Sequence, residues 1–324
     1  MRITHRIWEE RAIGVINETY HNNTIVHSCS ALNSGVLPVI AGTLSALHAF
    51  PDRRVVAESV VWSEDTPGDF FTSHRSKSNA TNLGDSEFGK VTGRKIQFRA
   101  IADCKIVDNR IYEEWLVRDN IWLVQQLGLD PYQVANELAK KYVAAGSPAF
   151  HGNFGLPEMM EGQFYPEAYK ANDESVGELM REIHSQIFQC KMIDKVKDYF
   201  LPQALVHFIG NKNLVGKEEI QGTIISFLAS FPNAYFMIDR ITCNERAVSG
   251  EWDVAVRWKM KGLHEGKGMF GDPSGNSVNI MGINHYHVQN NQIREAWIMF
   301  DGIDVLRQIV TLKEENEIAE ELVK

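Results

Sequence analysis

The sequence contains two copies of one pattern. Ile25-Val26-His27 recurs as Leu205-Val206-His207, and Gly42-Thr43 recurs as Gly222-Thr223, each 180 residues further along. Closer to the end of each copy, a register of 182 residues holds without a gap and pairs Asn109 with Asn291, Ile111 with Ile293, Glu113 with Glu295, Trp115 with Trp297, Asp119 with Asp301 and Gln126 with Gln308. Chance similarity does not keep register over such a length, so the chain is predicted to fold as two similar units in tandem.

Each copy predicts an α+β unit with its helices first. Helical patterns open the copies at 8–20 and 176–199, a short apolar strand follows, and the next helix ends at a Phe-Pro pair because proline cannot continue it. The segment EWDVAVRWKMKG then alternates apolar and polar residues, which is typical of a half-buried strand. The predicted fold is a curved antiparallel sheet packed against N-terminal helices, formed twice.

The repeat also sets the predicted domain boundaries. The first domain covers residues 1–130, a helical linker with an irregular segment covers 131–172, the second domain covers 173–312, and a charged helix covers 313–324. The loop from Thr66 to Glu87 is rich in Ser, Asn and Gly and has no evident counterpart of equal length in the second copy. We therefore expect this loop to be a flexible lid.

Charge and cysteine usage limit the classes of partner. The 33 basic and 42 acidic residues give a net charge of −9 without a basic patch, which disfavours nucleic acid and anionic membranes and favours a small molecule or a protein. The four cysteines are isolated, so neither a zinc site nor a disulfide framework is indicated, and reduced thiols are typical of a cytoplasmic protein. No stretch has the apolar length of a signal peptide or a membrane span.

The stretch HYHVQNNQIREAWIMFD, residues 285–301, holds the candidate catalytic groups. Alternation along a strand places His285 and His287 on one face, and it places Trp297 and Asp301 on one face of the next strand. The intervening turn makes these strands neighbours. A carboxylate beside an imidazole in an apolar pocket can remove a proton next to a carbonyl group and return it elsewhere, and Trp297 could stack on a planar substrate.

The order of these motifs, found in both copies, resembles the SnoaL-like polyketide cyclases. The shared pattern is a strand ending in His, a helix closed by Phe-Pro-Asp, a Thr-Gly-Arg segment before a long strand, Asn-x-Ile-x-Glu-x-Trp, and an Asp four residues later. It covers roughly residues 5–129 and 176–310. The resemblance implies the cone-shaped α+β barrel shared with nuclear transport factor 2 and ketosteroid isomerase, with a deep pocket, cofactor-free acid/base chemistry, and pairing of domains through the outer faces of their sheets.

The resemblance also assigns roles to individual residues. The family's catalytic Asp falls on Asp301, and its polar partner falls on His285 or His287, where the first copy has Asp103 and Lys105. The expected substrate-binding residues of the second copy are Trp297, His207, Glu295 and His264, and the first-copy counterparts are Asp119, Trp115 and His27, together with Asp103 and Lys105. Because of the departure at Asp103 and Lys105, the second copy is expected to be the active one.

The leading hypothesis is an enzyme without a cofactor that catalyses aldol cyclisation, isomerisation or hydration/dehydration of a hydrophobic carbonyl compound. A competing hypothesis is an epoxide hydrolase that uses Glu295 as a second pocket carboxylate. A third is a non-catalytic binding module in which Asp103 and Lys105 form a neutralised pair inside the first cavity. The two copies are expected to pair within the chain, and a homodimer is an additional option.

The same residues also have structural interpretations. His285 and His287 could be core histidines, Trp115 and Trp297 could be packing residues, and Asp301 could cap the following helix. The histidines lack the short ligand spacing of known zinc sites, so no metal is expected.

Overall fold

The computed structural model describes residues 2–29, 31–145 and 171–311. The elements of the first copy are α1 (Arg2–Trp8), α2 (Val15–Thr19), β1 (Tyr20–Ser28), β2 (Leu32–Ser34), α3 (Val36–Ala49), β3 (Arg54–Thr66), β4 (Asp69–Thr81), β5 (Lys95–Val107), β6 (Arg110–Arg118) and α4 (Asn120–Gln126). A connecting helix, α5 (Pro131–Ala144), follows. Residues 146–170 of the expected linker and the expected helix at 313–324 lie outside the described residues.

The second copy has the same element order. Its elements are α6 (Glu174–His184), α7 (Val196–Tyr199), β7 (Phe200–Phe208), β8 (Lys212–Val215), α8 (Gly216–Ser230), β9 (Tyr235–Glu245), β10 (Glu251–Leu263), β11 (Ser277–Gln289), β12 (Gln292–Phe300) and α9 (302–311). None of the described helices has both the length and the hydrophobicity needed to cross a membrane. The α+β class and the tandem repeat are confirmed.

The opening helices are shorter than the sequence predicts. Instead of one helix over 8–20, the first copy has α1 and α2 separated by a turn, in which Arg11 adopts a positive φ. In the second copy α6 continues into a π-helical turn, Ser185–Gln189. The helix ends before Lys191, which also has a positive φ, and a short 3₁₀ turn and α7 follow. A left-handed residue ends a helix because it cannot continue the hydrogen-bond ladder.

Each copy contains one open six-stranded sheet. The strand orders are β2-β1-β6-β5-β4-β3 and β8-β7-β12-β11-β10-β9. All neighbours are antiparallel except β1 with β6 and β7 with β12, so the sheets are mixed rather than purely antiparallel, and they are not closed barrels. The hairpins β5–β6 and β11–β12 turn through Asp108-Asn109 and Asn290-Asn291, all with positive φ, as two-residue hairpin turns require.

The expected lid is a strand. Most of the stretch between Thr66 and Glu87 forms β4, which pairs with β3 on one side and β5 on the other. Its counterpart is β10, and both strands have 13 residues. The prediction of a flexible loop was wrong. The sequence of β4 is polar along much of its length, and without knowledge of the surfaces that a polar strand contacts, its composition cannot be distinguished from that of a loop.

The two sheets pack against each other through their outer faces. A buried apolar cluster joins them, consisting of Cys29, Phe71, Ile101, Trp115, Val117, Met281, Ile283 and Met299. Beside the cluster, Trp62 in β3 and Asn244 in β9 exchange two hydrogen bonds of 2.8 Å. The helices of each copy cover the opposite, inner face of its own sheet. Each sheet is therefore covered on both faces, by helices inside and by the other copy outside.

Candidate functional site

The inner faces of the two copies differ. In the first copy, a cavity of about 640 Å³, here called the first-copy cavity, is lined by residues of α1, α2, α3 and the sheet. The corresponding space in the second copy is only about 20 Å³, which holds about one water molecule. It is filled by large side chains, including Phe188, Phe227, Phe236, Trp258 and Phe300. Of these two spaces, the first-copy cavity is the one with room for an organic ligand.

Exchanges at equivalent positions of the repeat explain this difference. Ser76 of β4 lines the first-copy cavity, and its counterpart in β10 is Trp258. Arg118 at the end of β6 corresponds to Phe300 at the end of β12. Trp258 stacks on Phe236 with 5.0 Å between ring centroids. Aromatic side chains bury large areas and exclude ligands from the space that they fill.

His285 and His287 lie on the outer face of β11, away from both cavities. The Nε2 atom of His285 lies 2.8 Å from Oγ of Ser73 in the other sheet, and burial lowers the pKa of His285 well below its ordinary value. The Nε2 atom of His287 lies 3.0 Å from Oε2 of Glu251 on the neighbouring strand. These positions differ from the sequence-based expectation of a shared pocket with Asp301.

The expected substrate-binding residues of the second copy also lie outside a pocket. Trp297 stacks on His207 with 5.1 Å between centroids, and His207 Nε2 lies 2.9 Å from Glu295 Oε1. The guanidinium of Arg75 from the first copy sits 3.3 Å above the Trp297 ring. His264 is fully buried in a loop, with Nδ1 3.2 Å from Oγ of Ser274. The contacts of Trp297 and its neighbours therefore join the two sheets.

The first-copy counterparts repeat this arrangement. His27 stacks on Trp115 and contacts Glu113, while Arg257 of the second copy lies 3.5 Å above Trp115. Asp103 accepts a hydrogen bond of 3.1 Å from Arg257, and Lys105 is exposed. Asp103 and Lys105 thus do not form a pair inside the cavity. Alternation in β5 directs both side chains to the outer face, because the inner positions are the even-numbered ones.

The two aspartates at the strand ends cap helices. Asp119 accepts the backbone N–H of Trp122 in α4 and also those of Gly210 and Asn211 in the second copy. Asp301 Oδ1 accepts the N–H groups of Ile303 and Asp304 at distances of 3.0 and 3.2 Å.

Asp301 is the one expected catalytic residue that reaches the first-copy cavity. Its Oδ2 accepts a hydrogen bond from the side chain of Asn120, and both residues line the cavity. Burial raises the pKa of Asp301 to about 7, and the charge of Asp304 adds to this effect.

The cavity also contains a hydrogen-bonded tyrosine–glutamate pair that the sequence analysis did not identify. The Tyr20 hydroxyl donates a hydrogen bond of 2.7 Å to Glu114 Oε2, and both residues are buried. Burial raises the pKa of Glu114 above its ordinary value, although the Tyr20 hydrogen bond acts in the opposite direction. Burial and the charge of Glu114 raise the pKa of the Tyr20 phenol as well. Such a shifted carboxyl in a cavity marks a candidate acid/base group.

Further polar groups line the same cavity. His74 of β4 faces it, and burial lowers the pKa of His74 to about 4, so this imidazole is neutral at pH 7. Arg53 and Arg118 also line it. A comparison of the two copies could have revealed several of these residues, since Tyr20 corresponds to Phe200 and Glu114 to Ala296. Polar residues at positions where the other copy has apolar ones therefore distinguish the interior of the first copy from that of the second.

Comparison with known proteins agrees with this architecture. The family model for SnoaL-like polyketide cyclases matches residues 1–127 and 178–309. Similar solved structures include a SnoaL-like polyketide cyclase from Agrobacterium tumefaciens, with 20% identity, 37% of this chain and 89% of that chain covered, and a TM-score of 0.32. Another is TsrD from Streptomyces laurentii, with 17% identity, 40% and 91% covered, and a TM-score of 0.35. No curated protein sequence gives a significant match. Because the family model covers most of the chain in two separate regions, the protein belongs to the SnoaL-like polyketide cyclase family, with two copies of the family domain in tandem.

Proposed function

We propose that this protein is an enzyme that performs cofactor-free acid/base chemistry on a hydrophobic carbonyl compound, and that the reaction takes place in the first-copy cavity. The observation that carries this proposal is the buried Tyr20–Glu114 pair at the wall of a cavity of about 640 Å³. A volume of this size lies in the usual range of small-molecule sites. Aldol cyclisation, isomerisation and dehydration can each begin with removal of a proton next to a carbonyl group, which this pair could perform, and hydration is dehydration in reverse.

Glu114 is the proposed general base. Its raised pKa brings the carboxyl closer to neutral pH, where a group can both accept and return a proton efficiently. Tyr20 holds Oε2 in place, and Oε1 has no hydrogen-bond partner among the described residues. Oε1 is therefore the atom that would remove a proton from the carbon next to a substrate carbonyl. Protonated Glu114 would then return the proton to a different atom.

His74 is the proposed electrophile. A neutral imidazole keeps one N–H that can donate to the substrate oxygen as negative charge develops there. Because burial holds the pKa of His74 near 4, the ring is neutral throughout the physiological range. His74 lies on β4 and Glu114 on β6, with β5 between them, so a substrate across the sheet would contact both residues.

The second copy has a supporting role in this proposal. Its inner face is filled, and its outer face holds the first sheet through the apolar cluster and the Arg–Trp contacts. Epoxide hydrolysis in the second copy is not favoured, since Glu295 contacts His207 on the outer face and not in a pocket.

A cavity-filling variant tests the location of the site. Polyketide-like ketones and cyclic ketones should raise the melting temperature of the wild-type chain. They should not raise that of Ser76→Trp, which copies the second-copy residue Trp258 into the first-copy cavity. Ser76→Ala is the control and should respond like the wild type. Equal stabilisation of the Trp variant would contradict a ligand site in this cavity.

A pair of glutamine variants tests the chemistry. Glu114→Gln should retain the Tyr20 hydrogen bond and the fold but lower turnover of a ligand found in this way by roughly 10²-fold or more, because it removes the base. Glu113→Gln, on the opposite face beside His27, should turn over at the wild-type rate. Unchanged turnover in Glu114→Gln would refute the assignment, and ligand binding without turnover in the wild type would identify a binding protein.

A further inference from the structure

We propose that the ligand of the first-copy cavity is an organic acid, whose carboxylate is bound by Arg53 and Arg118. This inference rests on the proposed function only in that the ligand occupies the same cavity. It adds a substrate class: a hydrophobic carbonyl compound that also carries a negative charge.

Arg53 is a buried cation without a counter-charge in its immediate surroundings. The residue is 8% exposed and lies between α3 and β3. Its Nε donates a hydrogen bond of 3.0 Å to Ser78 Oγ, and its guanidinium lies 3.9 Å from the Trp8 ring and 5.0 Å from the Phe98 ring. Within the described part of the chain, it forms no ion pair. Contact with aromatic rings stabilises a cation less than burial destabilises it, so buried guanidinium groups normally have an anionic partner.

Arg118 places a second positive charge in the same cavity. It follows Glu114 by four residues on the same face of β6, and it has neither a hydrogen bond nor an ion pair with any residue that the structure describes. Arg118 is close enough to Arg53 for their charges to repel: burial and, to a smaller extent, this repulsion lower the pKa of Arg53 to about 9. With a pKa of about 9 Arg53 remains charged at pH 7, and an anion near both guanidinium groups would relieve the repulsion.

Three carboxylates line the cavity, those of Glu87, Glu114 and Asp301. Glu114 is bonded to Tyr20, and Asp301 is bonded to Asn120 and to the backbone at the start of α9. Among the described residues none of the three forms an ion pair with Arg53 or Arg118, although the charge of Arg118 acts to lower the pKa of Glu114. Both guanidinium groups therefore lack a bonded carboxylate, and a ligand carboxylate could supply one through charge-assisted hydrogen bonds.

The repeat supplies an internal comparison. Arg53 corresponds to Ala234, through the matching Phe-Pro-Asp and Phe-Pro-Asn segments, and Arg118 corresponds to Phe300. The second copy forms the same fold with neither cation, so the fold itself does not require them. The positive charges are present only where the cavity is open, which associates them with the ligand.

The apolar walls indicate the rest of the ligand. Side chains from the helices and the sheet form them, including Ile7, Ile16, Phe98, Leu116 and Leu123. A ring system packed on these walls, with its carboxylate at the arginines and a ring ketone near Glu114, would satisfy both polar regions. The structure therefore favours a cyclic or aromatic keto acid over a neutral ketone or ester.

Calorimetric titration of the full chain at pH 7 with two matched probes tests the inference. The probes are anthraquinone-2-carboxylate and its neutral amide, which share the ring ketones and differ in charge. The wild type should bind the acid at least about tenfold more tightly than the amide, as expected for a paired, partly buried carboxylate. Arg53→Gln and Arg118→Gln should each remove this preference. Arg54→Gln, at an exposed residue paired with Glu9, should keep it.

Two results would overturn the inference. One is that the wild type binds the acid and the amide with equal affinity and that Ser76→Trp binds neither probe. This result would leave the proposed function intact and would remove only the preference for a charged ligand. The other is no binding of the acid at millimolar concentration, in which case the Glu114→Gln turnover assay decides the proposed function separately. Melting curves of both arginine variants establish that they fold, and a preference lost in either folded variant supports the role of the arginine pair.

Discussion

Asp301 shows how one buried carboxyl group can belong to a helix and a cavity at once. Its Oδ1 caps α9 through two backbone N–H groups, while its Oδ2 accepts from Asn120 at the wall of the first-copy cavity. Burial raises its pKa to about 7, from an ordinary value of 3.8. The carboxyl is thus close to half protonated at neutral pH, and its charge state should affect stability.

The effect of pH on Asp301→Asn tests this directly. Because the folded-state pKa is raised, the favourable contribution of the protonated carboxyl is complete below about pH 4 and is lost as pH rises through about 7. The wild type should lose stability relative to the variant by on the order of a few kcal/mol across this window, at about 1.4 kcal/mol per pKa unit. Urea unfolding at several pH values measures the difference.

Asp130→Asn is a suitable control for that experiment. Asp130 caps α5 through the N–H of Gln133 in an exposed position, so the substitution makes the same chemical change outside the cavity. Its stability difference from the wild type should change little between pH 4 and 8. A pH-independent difference for Asp301→Asn as well would mean that the Asp301 carboxyl is not perturbed by burial.

The strand β4 carries polar side chains on both of its faces. His74 and Ser76 point into the first-copy cavity, while Ser73 and Arg75 point to the interface with the second copy. Both neighbours of β4 are strands, so its backbone groups form ladders on two sides. We therefore expect β4 to be a fixed wall of the cavity and not a movable cover.

Hydrogen exchange distinguishes a wall from a lid. Peptides covering residues 70–80 should remain protected for as long as peptides from β10, because both strands are paired on two sides. Mass spectrometry of the full chain over seconds to hours gives the comparison. Complete exchange of the β4 peptides within seconds, with β10 still protected, would show that this segment opens as a lid.

At the scale of the whole molecule, the two copies form an approximately symmetric pair. Arg75 of the first copy lies on Trp297 of the second, and Arg257 of the second lies on Trp115 of the first. Arg75 and Arg257 occupy equivalent positions of the repeat, as do Trp115 and Trp297, so the same arginine–tryptophan contact occurs twice, as in a two-fold dimer interface. The symmetry is broken at Asp103, which pairs with Arg257, because its counterpart is His285.

A double-mutant cycle measures this pair. Arg257→Met should destabilise the chain by about 3–5 kcal/mol, since it leaves Asp103 buried without its cation. Arg257→Met combined with Asp103→Leu should recover most of the loss, because the buried carboxylate is then absent and Asp239, the other partner of Arg257, keeps Lys259 at 3.6 Å. Urea unfolding of the wild type, of each single variant and of the double variant gives the coupling energy. Arg246→Met, which removes a surface pair with Asp253, should cost less than about 1 kcal/mol. Simple additivity of the two interface substitutions would show that the pair does not link the copies.

The sequence alone determines the repeat, the α+β class and the alternation of side chains along each strand. These features depend on local periodicity and on motifs that recur in register, both of which are readable without coordinates. The alternation correctly placed His285 with His287, and Glu295 with Trp297, on common faces. It also indicated the hairpin turn at Asn290-Asn291.

Only the tertiary structure decided which face of each sheet encloses a cavity. In a sheet with one wet face, alternation identifies the inner side, but β11 is buried along almost its whole length because helices cover one face and the other copy covers the second. When both faces are buried, the alternation of side chains does not show which face of the strand lines the cavity and which lies at the interface between the copies. The first-copy cavity likewise results from packing among distant segments, since Tyr20 and Glu114 are 94 residues apart and meet only when β1 pairs with β6.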